Sequence, residues 1–437
     1  MAFEQGVVRR ISWRDLFPWL ILFRTFRIAI SPTLLALATL ASIVSYAGWR
    51  IADSVFIHRE EGQSWIAPRE SIPRASNSTL ASYAPAAAQE WLPATPTAIL
   101  EGYFSLAEPF VRLFKLQMTI GQMAYYAFGS LWTLLIWAFV GGVITRRAVV
   151  QLGAEEPIGV QSAASFAGRR YLWYLLAPLY PLVGILLLAI PIALVGLPLR
   201  FDAWEQTMWI HDLGAILAGL VWIFVVIAGL GAMWLFGGLI FGWPLMWPAI
   251  SAEKDGDSFE AFSRSFSYVY GKPLHYFYYV VVAAFFGALG MAVVVGAATL
   301  VVEFGFWALA LGGGGDAAER LHAQVFSPRD LPDDQAWFEF GAMLVGWVVH
   351  LVQQVAFAFN FTYFWCAASA IYLLLRMDVD HQEIDEIYLE DDPSRTPAAA
   401  SPAGSPAARS ESPPVSVPQA VVESDAGLAT SDDRPAS

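Results

Sequence analysis

The sequence predicts an all-α membrane protein, a polytopic bundle of about six transmembrane helices with short cytoplasmic surface helices and a disordered C-terminal tail. Of its 437 residues, 57% are hydrophobic and only 14% are charged. Several apolar runs are long enough for a helix to cross the hydrocarbon core of a bilayer, which takes roughly 20 residues. The single cysteine, Cys366, excludes an internal disulfide and a cysteine-based metal site.

The predicted spans follow the apolar runs of the chain. Pro244 and Pro248 are predicted to end the fourth span, because proline interrupts helical hydrogen bonding. The last run has no turn signal at its centre, which predicts one long tilted helix and not a hairpin. The six spans are expected at about residues 30–46, 124–144, 172–197, 213–240, 276–302 and 338–375.

The segments outside the spans differ in composition. Residues 1–29 are basic and amphipathic, which predicts a cytoplasmic segment lying on the membrane face. The membrane domain covers 30–376 and includes a long extracytoplasmic loop at 50–121. An acidic cytoplasmic extension, expected to be a solvated helix, covers 377–392. The Pro/Ala/Ser-rich residues 393–437 are predicted to be disordered.

The apolar spacing within 98–116 predicts a helix at the second half of the long loop. We expect this helix to rest on the outer membrane interface. A ligand-binding lid is the alternative interpretation of the same pattern.

The positions of lysine and arginine predict the orientation. They cluster in the N-terminal segment, in the loops 146–170 and 251–273, and at Arg376, whereas the loops 202–212 and 312–334 are acidic. Basic residues near span ends stay in the cytoplasm, so both termini are expected there, in a bacterial cytoplasmic (inner) membrane. Much of the net charge of −13 lies in the C-terminal tail, which argues against binding to nucleic acid.

A short amphipathic helix is predicted at 257–273, with the sequence DSFEAFSRSFSYVYGKP. Asp257 is a suitable N-cap, and Glu260 follows at the spacing of a capping box. The helix is too short to be a span, so we expect it to lie on the membrane surface or to dock against the ends of neighbouring spans. Its predicted contact face comprises Phe259, Phe262, Phe266, Val269 and Tyr270.

A weak internal repeat relates residues 154–176 to residues 253–279. Ser165-Phe166 aligns with Ser265-Phe266, and a span follows in both copies. Each copy would be span, cytoplasmic surface helix, span, in the same orientation, as in a parallel repeat. Coincidence between two amphipathic loops is the alternative.

The second copy carries a resemblance. An acidic lead, then Ala261 and Ser265 on a surface helix, then the basic Lys272 before a new span, resembles the membrane domain found beside glycerophosphodiester phosphodiesterases. Residues 22–32 and 371–380 are similar to multi-pass proteins of planctomycete-type bacteria. The resemblance implies a six-span fold and supplies no catalytic residue. The soluble phosphodiesterase domain has no counterpart in this sequence, so no phosphodiesterase activity is implied.

The last span carries a polar stripe. Polar side chains at membrane depth serve most often as hydrogen-bonding contacts between helices, and in other proteins they mark a solute or proton path. Both interpretations are open for this stripe, which comprises His350, Gln353, Gln354 and Asn360.

The sequence contains no nucleotide-binding, hydrolase or metal-site motif. We therefore expect no catalytic, cofactor-binding or metal-ligating residues, and no enzyme activity. The first functional hypothesis is a non-enzymatic scaffold, assembly or envelope-organising protein. The alternative is a transporter or permease-like subunit with a polar path along the last span. The expected partners are the lipid bilayer, a protein bound at the cytoplasmic surface helices, and a second copy of the chain.

Overall fold

The computed structural model describes residues 17–56, 103, 106–114, 119–197, 208–254, 256–327 and 335–389. The regular structure of these residues is helical. Six of the helical segments are long and apolar enough to cross a membrane. The predicted multi-pass helical bundle is therefore confirmed.

A 3₁₀ turn, Pro18–Leu20, precedes the helices of the described residues. They are α1 (Ile21–Ala29), α2 (Pro32–Phe56), α3 (Ile120–Gly153), α4 (Val160–Arg169), α5 (Tyr171–Leu176), α6 (Leu179–Gly196), α7 (Met208–Ala252), α8 (Ser258–Gly271), α9 (Pro273–Gly313), α10 (Gly315–Phe326) and α11 (Ala336–Asp380). The six spans are α2, α3, α5 with α6, α7, α9 and α11.

Most spans extend beyond their predicted limits. The first continues to Phe56, so the predicted loop at 50–121 begins later than expected. The last span is one helix of 45 residues, Ala336–Asp380, as predicted. The prediction that α7 ends at its prolines is wrong, because the helix continues through Pro244 and Pro248 to Ala252.

The hydrogen bonds around Pro244 explain this continuation. A proline has no N–H and leaves the carbonyl four residues before it without its helical partner. For Pro244 that carbonyl is Ile240, and the Tyr103 hydroxyl donates to it at 2.7 Å. The Tyr276 hydroxyl donates to the next carbonyl, Phe241, also at 2.7 Å. Neighbouring side chains that satisfy the freed groups allow prolines inside membrane helices.

Residues 103 and 106–114, here called the inserted segment, do not rest on the outer interface as predicted. Leu106 is buried in the main core. The ring of Tyr103 lies 5.8 Å from the ring of Trp243 and 6.1 Å from that of Phe364. The described part of the loop therefore packs between the spans, because its apolar face is buried between α3 and α7.

Helix α1 also packs more deeply than a surface segment would. Leu22 and Ala29 are buried, and the ring of Phe26 contacts the ring of Phe359 on α11 at 5.7 Å. On the polar side Arg24 forms an ion pair with Glu155 at 3.1 Å. The basic amphipathic pattern is thus used for docking against the bundle, and residues 1–16 lie outside the described residues.

The helix predicted for the acidic extension ends earlier than expected. Helix α11 ends at Asp380, where His381 adopts a left-handed conformation with φ of 56°. The chain then folds back, and the Tyr388 N–H donates to the Ala252 carbonyl at 3.0 Å. Ile384 and Ile387 pack against the core. Ile384, Ile387 and Tyr388, which lie between carboxylates, are half-buried and give the segment an apolar face against the bundle. Residues 390–437, which include the predicted disordered tail, lie outside the described residues.

The folded-back segment gives a prediction for truncated chains. Truncation after Asp380 removes Ile384, Ile387 and Tyr388, and burial of each such side chain contributes about 1.5–3 kcal/mol. We expect a clear fall in the melting temperature of the purified protein, measured in detergent. Truncation after Asp392 leaves this contact intact and is the matched control. Equal melting temperatures for the two truncations would contradict the contact.

Candidate functional site

The C-terminal end of α7 lies at the centre of the packed end of the bundle. The last four carbonyls of a helix have no partner within it. For α7, the Glu253 N–H donates to Ala249 at 3.2 Å, and the Tyr388 N–H donates to Ala252. The two remaining carbonyls belong to Ile250 and Ser251.

Two arginines bind these remaining carbonyls. Arg170 donates to Ile250 at 2.9 Å and to the following carbonyl of Glu253 at 2.8 Å. Arg146, which is only 4% exposed, donates to Ser251 at 2.7 Å and to Tyr388 at 2.8 Å. Positive charge at a helix C-terminus is stabilised by the helix dipole as well as by hydrogen bonds. The two arginines thus complete the end of α7.

An aromatic ring holds both guanidinium groups in place. Phe166 of α4 lies 4.0 Å from the guanidinium carbon of Arg146 and 4.5 Å from that of Arg170. The cation–π attraction strengthens when the groups are withdrawn from water, as they are here. In the sequence, Arg146 and Arg170 indicate only the orientation of the spans. No pattern in the sequence predicts that both side chains reach the end of α7.

Ionic contacts join this end of α7 to α8 and α11. Glu253 forms an ion pair with Arg376, whose Nε lies 3.0 Å from the carboxylate and donates its hydrogen bond to Gln382, and it lies 3.5 Å from Arg264 on α8. Arg264 also lies 3.4 Å from Asp380, which accepts from the Tyr268 hydroxyl. Arg376 is 4% exposed, so its pairing with Glu253 prevents an isolated buried charge.

The titration of this network agrees with a permanent structural contact. Burial lowers the pKa of Arg264, but the nearby Tyr372 and Glu253 raise it by a larger amount, so the net shift is upward. Burial and the hydrogen bond to Asp380 both raise the pKa of Tyr268. Arg264 therefore stays charged and Tyr268 stays neutral over the physiological pH range.

Helix α8 begins with the predicted cap, since Asp257 accepts from the Glu260 N–H at 2.7 Å. The helix docks along the side of α7 and not only at the span ends. Phe266 is buried against Gly238, where a Cβ would lie 2.2 Å from the ring. Close packing of α8 on α7 therefore requires a glycine at position 238.

The residues of the predicted contact face of α8 differ in burial. Phe266 and Val269 are buried, Phe262 is half-buried, and Phe259 and Tyr270 lie at the rim with 58% and 41% exposure. Sequence reasoning missed a second buried row, because its alanine, serine and tyrosine do not form an apolar pattern. This row faces the ionic contacts and consists of Ala261, Ser265 and Tyr268.

The two copies of the weak repeat share two local features. Phe166 of α4 and Phe266 of α8 are both buried, and a tyrosine in the following span of each copy, Tyr174 and Tyr276, forms a hydrogen bond to α7. Tyr174 bonds Ser251 near the end of α7, whereas Tyr276 bonds Phe241 higher up. The likeness of the copies is thus local.

The polar stripe of α11 does not form one continuous row of contacts. Gln354 donates to Ser42 on α2 at 2.8 Å, which is a contact between helices. His350 is exposed and lies 3.2 Å from the Gln353 side chain. Asn360 is fully buried, and neither of its side-chain polar atoms has a hydrogen-bond partner.

An apolar cleft lies between the inserted segment, α3, α6 and α7. Its volume is about 660 Å³, including the space at its open side. Tyr103, Trp137 and Trp243 form part of its wall. Within the described parts of the chain, no group of three or more His, Cys, Asp or Glu side chains could hold a metal ion.

The arginines at the end of α7 give a prediction with a neighbouring control. Arg170→Met leaves buried carbonyls without donors, and each such loss costs about 1–3 kcal/mol. We expect a marked fall in melting temperature in detergent. Arg169→Met changes the adjacent exposed arginine, which donates to Ser165 within α4, and should have a small effect. Similar losses for both variants would contradict the capping role.

Comparison of the chain with protein-family models, with curated proteins and with solved structures finds no match. The resemblance at Ala261, Ser265 and Lys272 therefore stays a prediction.

Proposed function

We propose that this chain is a non-enzymatic scaffold of the bacterial cytoplasmic membrane, with both termini in the cytoplasm. The observation that supports the proposal is the burial of two stripe residues, Gln353 and Asn360, among the described helices. Asn360 is 0% exposed and Gln353 is 4% exposed. A transporter needs a polar, water-accessible path past these side chains.

Aromatic packing supports this interpretation of the interior. The rings of Trp247 and Trp365 stack at 4.2 Å, and Trp243 meets Trp365 edge to face at 5.3 Å. Below them, Arg146 and Arg170 bind the end of α7. A path for a solute would have to separate these contacts, whereas a scaffold benefits from the rigidity that they give.

The partner-binding surface of such a scaffold would lie on the outer faces of α4 and α8. Both helices belong to the arginine-rich end of the bundle, and they leave Gln161, Phe259 and Ser263 exposed. The network of Glu253, Arg264 and Asp380 fixes α8 on the bundle. A fixed helix presents its free face in one orientation, which reduces the entropy lost on binding.

The orientation rests on the distribution of charge between the two ends of the bundle. Arg146, Arg170, Arg264 and Arg376 gather at the end that includes the C-terminus of α7. The connections at the other end carry several carboxylates, including Asp316. Basic residues close to span ends favour the cytoplasmic side.

Transport remains the second candidate because of one observation. A fully buried amide without partners, as at Asn360, costs free energy and needs an explanation. A solute that hydrogen-bonds this amide in another conformation would supply one.

Cysteine accessibility distinguishes the two functions. In a Cys366→Ala background, Gln353→Cys and Asn360→Cys should not react with a membrane-impermeant, water-soluble maleimide in proteoliposomes labelled from either side. Ser263→Cys on the exposed face of α8 is the positive control. Rapid labelling at both stripe positions would favour a water-filled path and contradict the scaffold proposal.

Reporter fusions test the orientation separately. Fusions at Pro157, Asp255 and Asp392 should report a cytoplasmic location, because they follow the arginine-rich span ends. Fusions at Asn77, Asp202 and Asp330 should report the opposite side. An extracytoplasmic signal at Asp255 would overturn the proposed topology, whatever the outcome of the cysteine labelling.

A further inference from the structure

The apolar cleft carries an inference that does not depend on the scaffold function. It is bounded by the inserted segment, α3, α6 and α7, and its volume of about 660 Å³ includes the space at its open side. None of the described residues that line it is charged, and its walls include Phe110, Leu134 and Leu239. The cleft therefore suits an uncharged, apolar occupant.

The cleft opens towards the surface that faces the hydrocarbon core. At its rim Val111 is 43% exposed and Phe114 is 46% exposed. Leu182 lines the cleft, and the next residue of α6, Val183, is 51% exposed. The lining thus continues into the exposed apolar face of α6, and the molecules that meet this face are the lipids of the bilayer.

It is unfavourable for such an apolar space to stay empty or to fill with water. An empty apolar void loses dispersion contacts along its whole wall. A bound water needs two to four polar partners. The described lining offers two buried polar groups without a partner, the Thr133 hydroxyl and the Trp243 Nε1, which could hold a single water but could not fill the cleft with water. A flexible hydrocarbon chain regains the dispersion contacts and needs no hydrogen bond.

We propose that one acyl chain of a bilayer phospholipid occupies this cleft, between the inserted segment and the wall formed by α3 and α7. The chain enters past Val111 and Phe114, and its end lies near Trp137. The headgroup stays outside, because the described lining offers no charge to bind it. The lipid thereby becomes a packing element that holds the inserted segment against the spans.

A photoreactive phospholipid tests this proposal with the full-length protein in liposomes. The probe is a phosphatidylethanolamine that carries a diazirine near the end of one acyl chain. After irradiation, mass spectrometry should find adducts within 106–114 and within 236–247 of α7. Ala107→Phe places a ring in the cleft and should reduce these adducts at least fivefold, whereas Ala193→Phe on the exposed face of α6 should not.

Two further measurements keep the outcome decisive. The labelled lipid is first exchanged against an excess of unlabelled lipid for increasing times, and the sample is then irradiated. Adducts at the exposed Leu187, which contacts loosely bound lipid, should be lost at short exchange times, while the cleft adducts persist. Loss of both at the same rate in the unmodified protein would overturn the proposal, even if Ala107→Phe fails to fold. Thr133→Val should leave the cleft adducts unchanged. A large loss would mean that the occupant binds through an oxygen atom and is not an acyl chain.

Discussion

The end of α7 imposes the constraint on which the packed part of the bundle depends. A backbone carbonyl in an apolar environment must find a donor, since water is not there to supply one. The prolines and the C-terminus of α7 together leave several carbonyls without helical partners. Tyr103, Arg170, Arg146 and the Tyr388 N–H supply donors to these carbonyls, and Tyr276 donates to the neighbouring carbonyl of Phe241. Five separate parts of the chain thus converge on one helix.

The same convergence explains why the arginines occupy partly buried positions. A buried guanidinium group is costly unless its hydrogen bonds are satisfied. Here the helix end provides aligned carbonyls of negative partial charge, and Phe166 provides an aromatic face. The carboxylate of Glu253 then continues the polar contacts to Arg264 and Arg376. The arginines at this end of the bundle thus also help to close its interior.

Hydropathy and periodicity predicted the six spans, the undivided last helix and the cap at Asp257, because each depends on neighbouring residues in the chain. The failures concern contacts between distant residues. From the sequence, Pro244 is expected to break the helix. The helix continues because Tyr103, 141 positions earlier in the chain, donates a hydrogen bond to the Ile240 carbonyl. From the sequence, residues 381–389 are expected to be solvated, but in the structure Ile387 packs against Gly153. Helical spacing places the stripe residues on the last span. It cannot predict the burial of Asn360, because that burial depends on the neighbouring helices.

Packing is concentrated at the end of the bundle where α7 terminates, and this bears on both functional candidates. The most apolar stretch of α3 is 61% buried, whereas that of α7 is 6% buried and that of α5 with α6 is 11% buried. The rigid end therefore presents α4 and α8 in fixed positions, and the outer halves of α6 and α7 depend on lipid for their contacts. A scaffold fits this division, because the partner surface needs rigidity and the lipid-facing part needs only apolar side chains. A transporter would need its mobile contacts at Trp247 and Trp365, where the packing is densest.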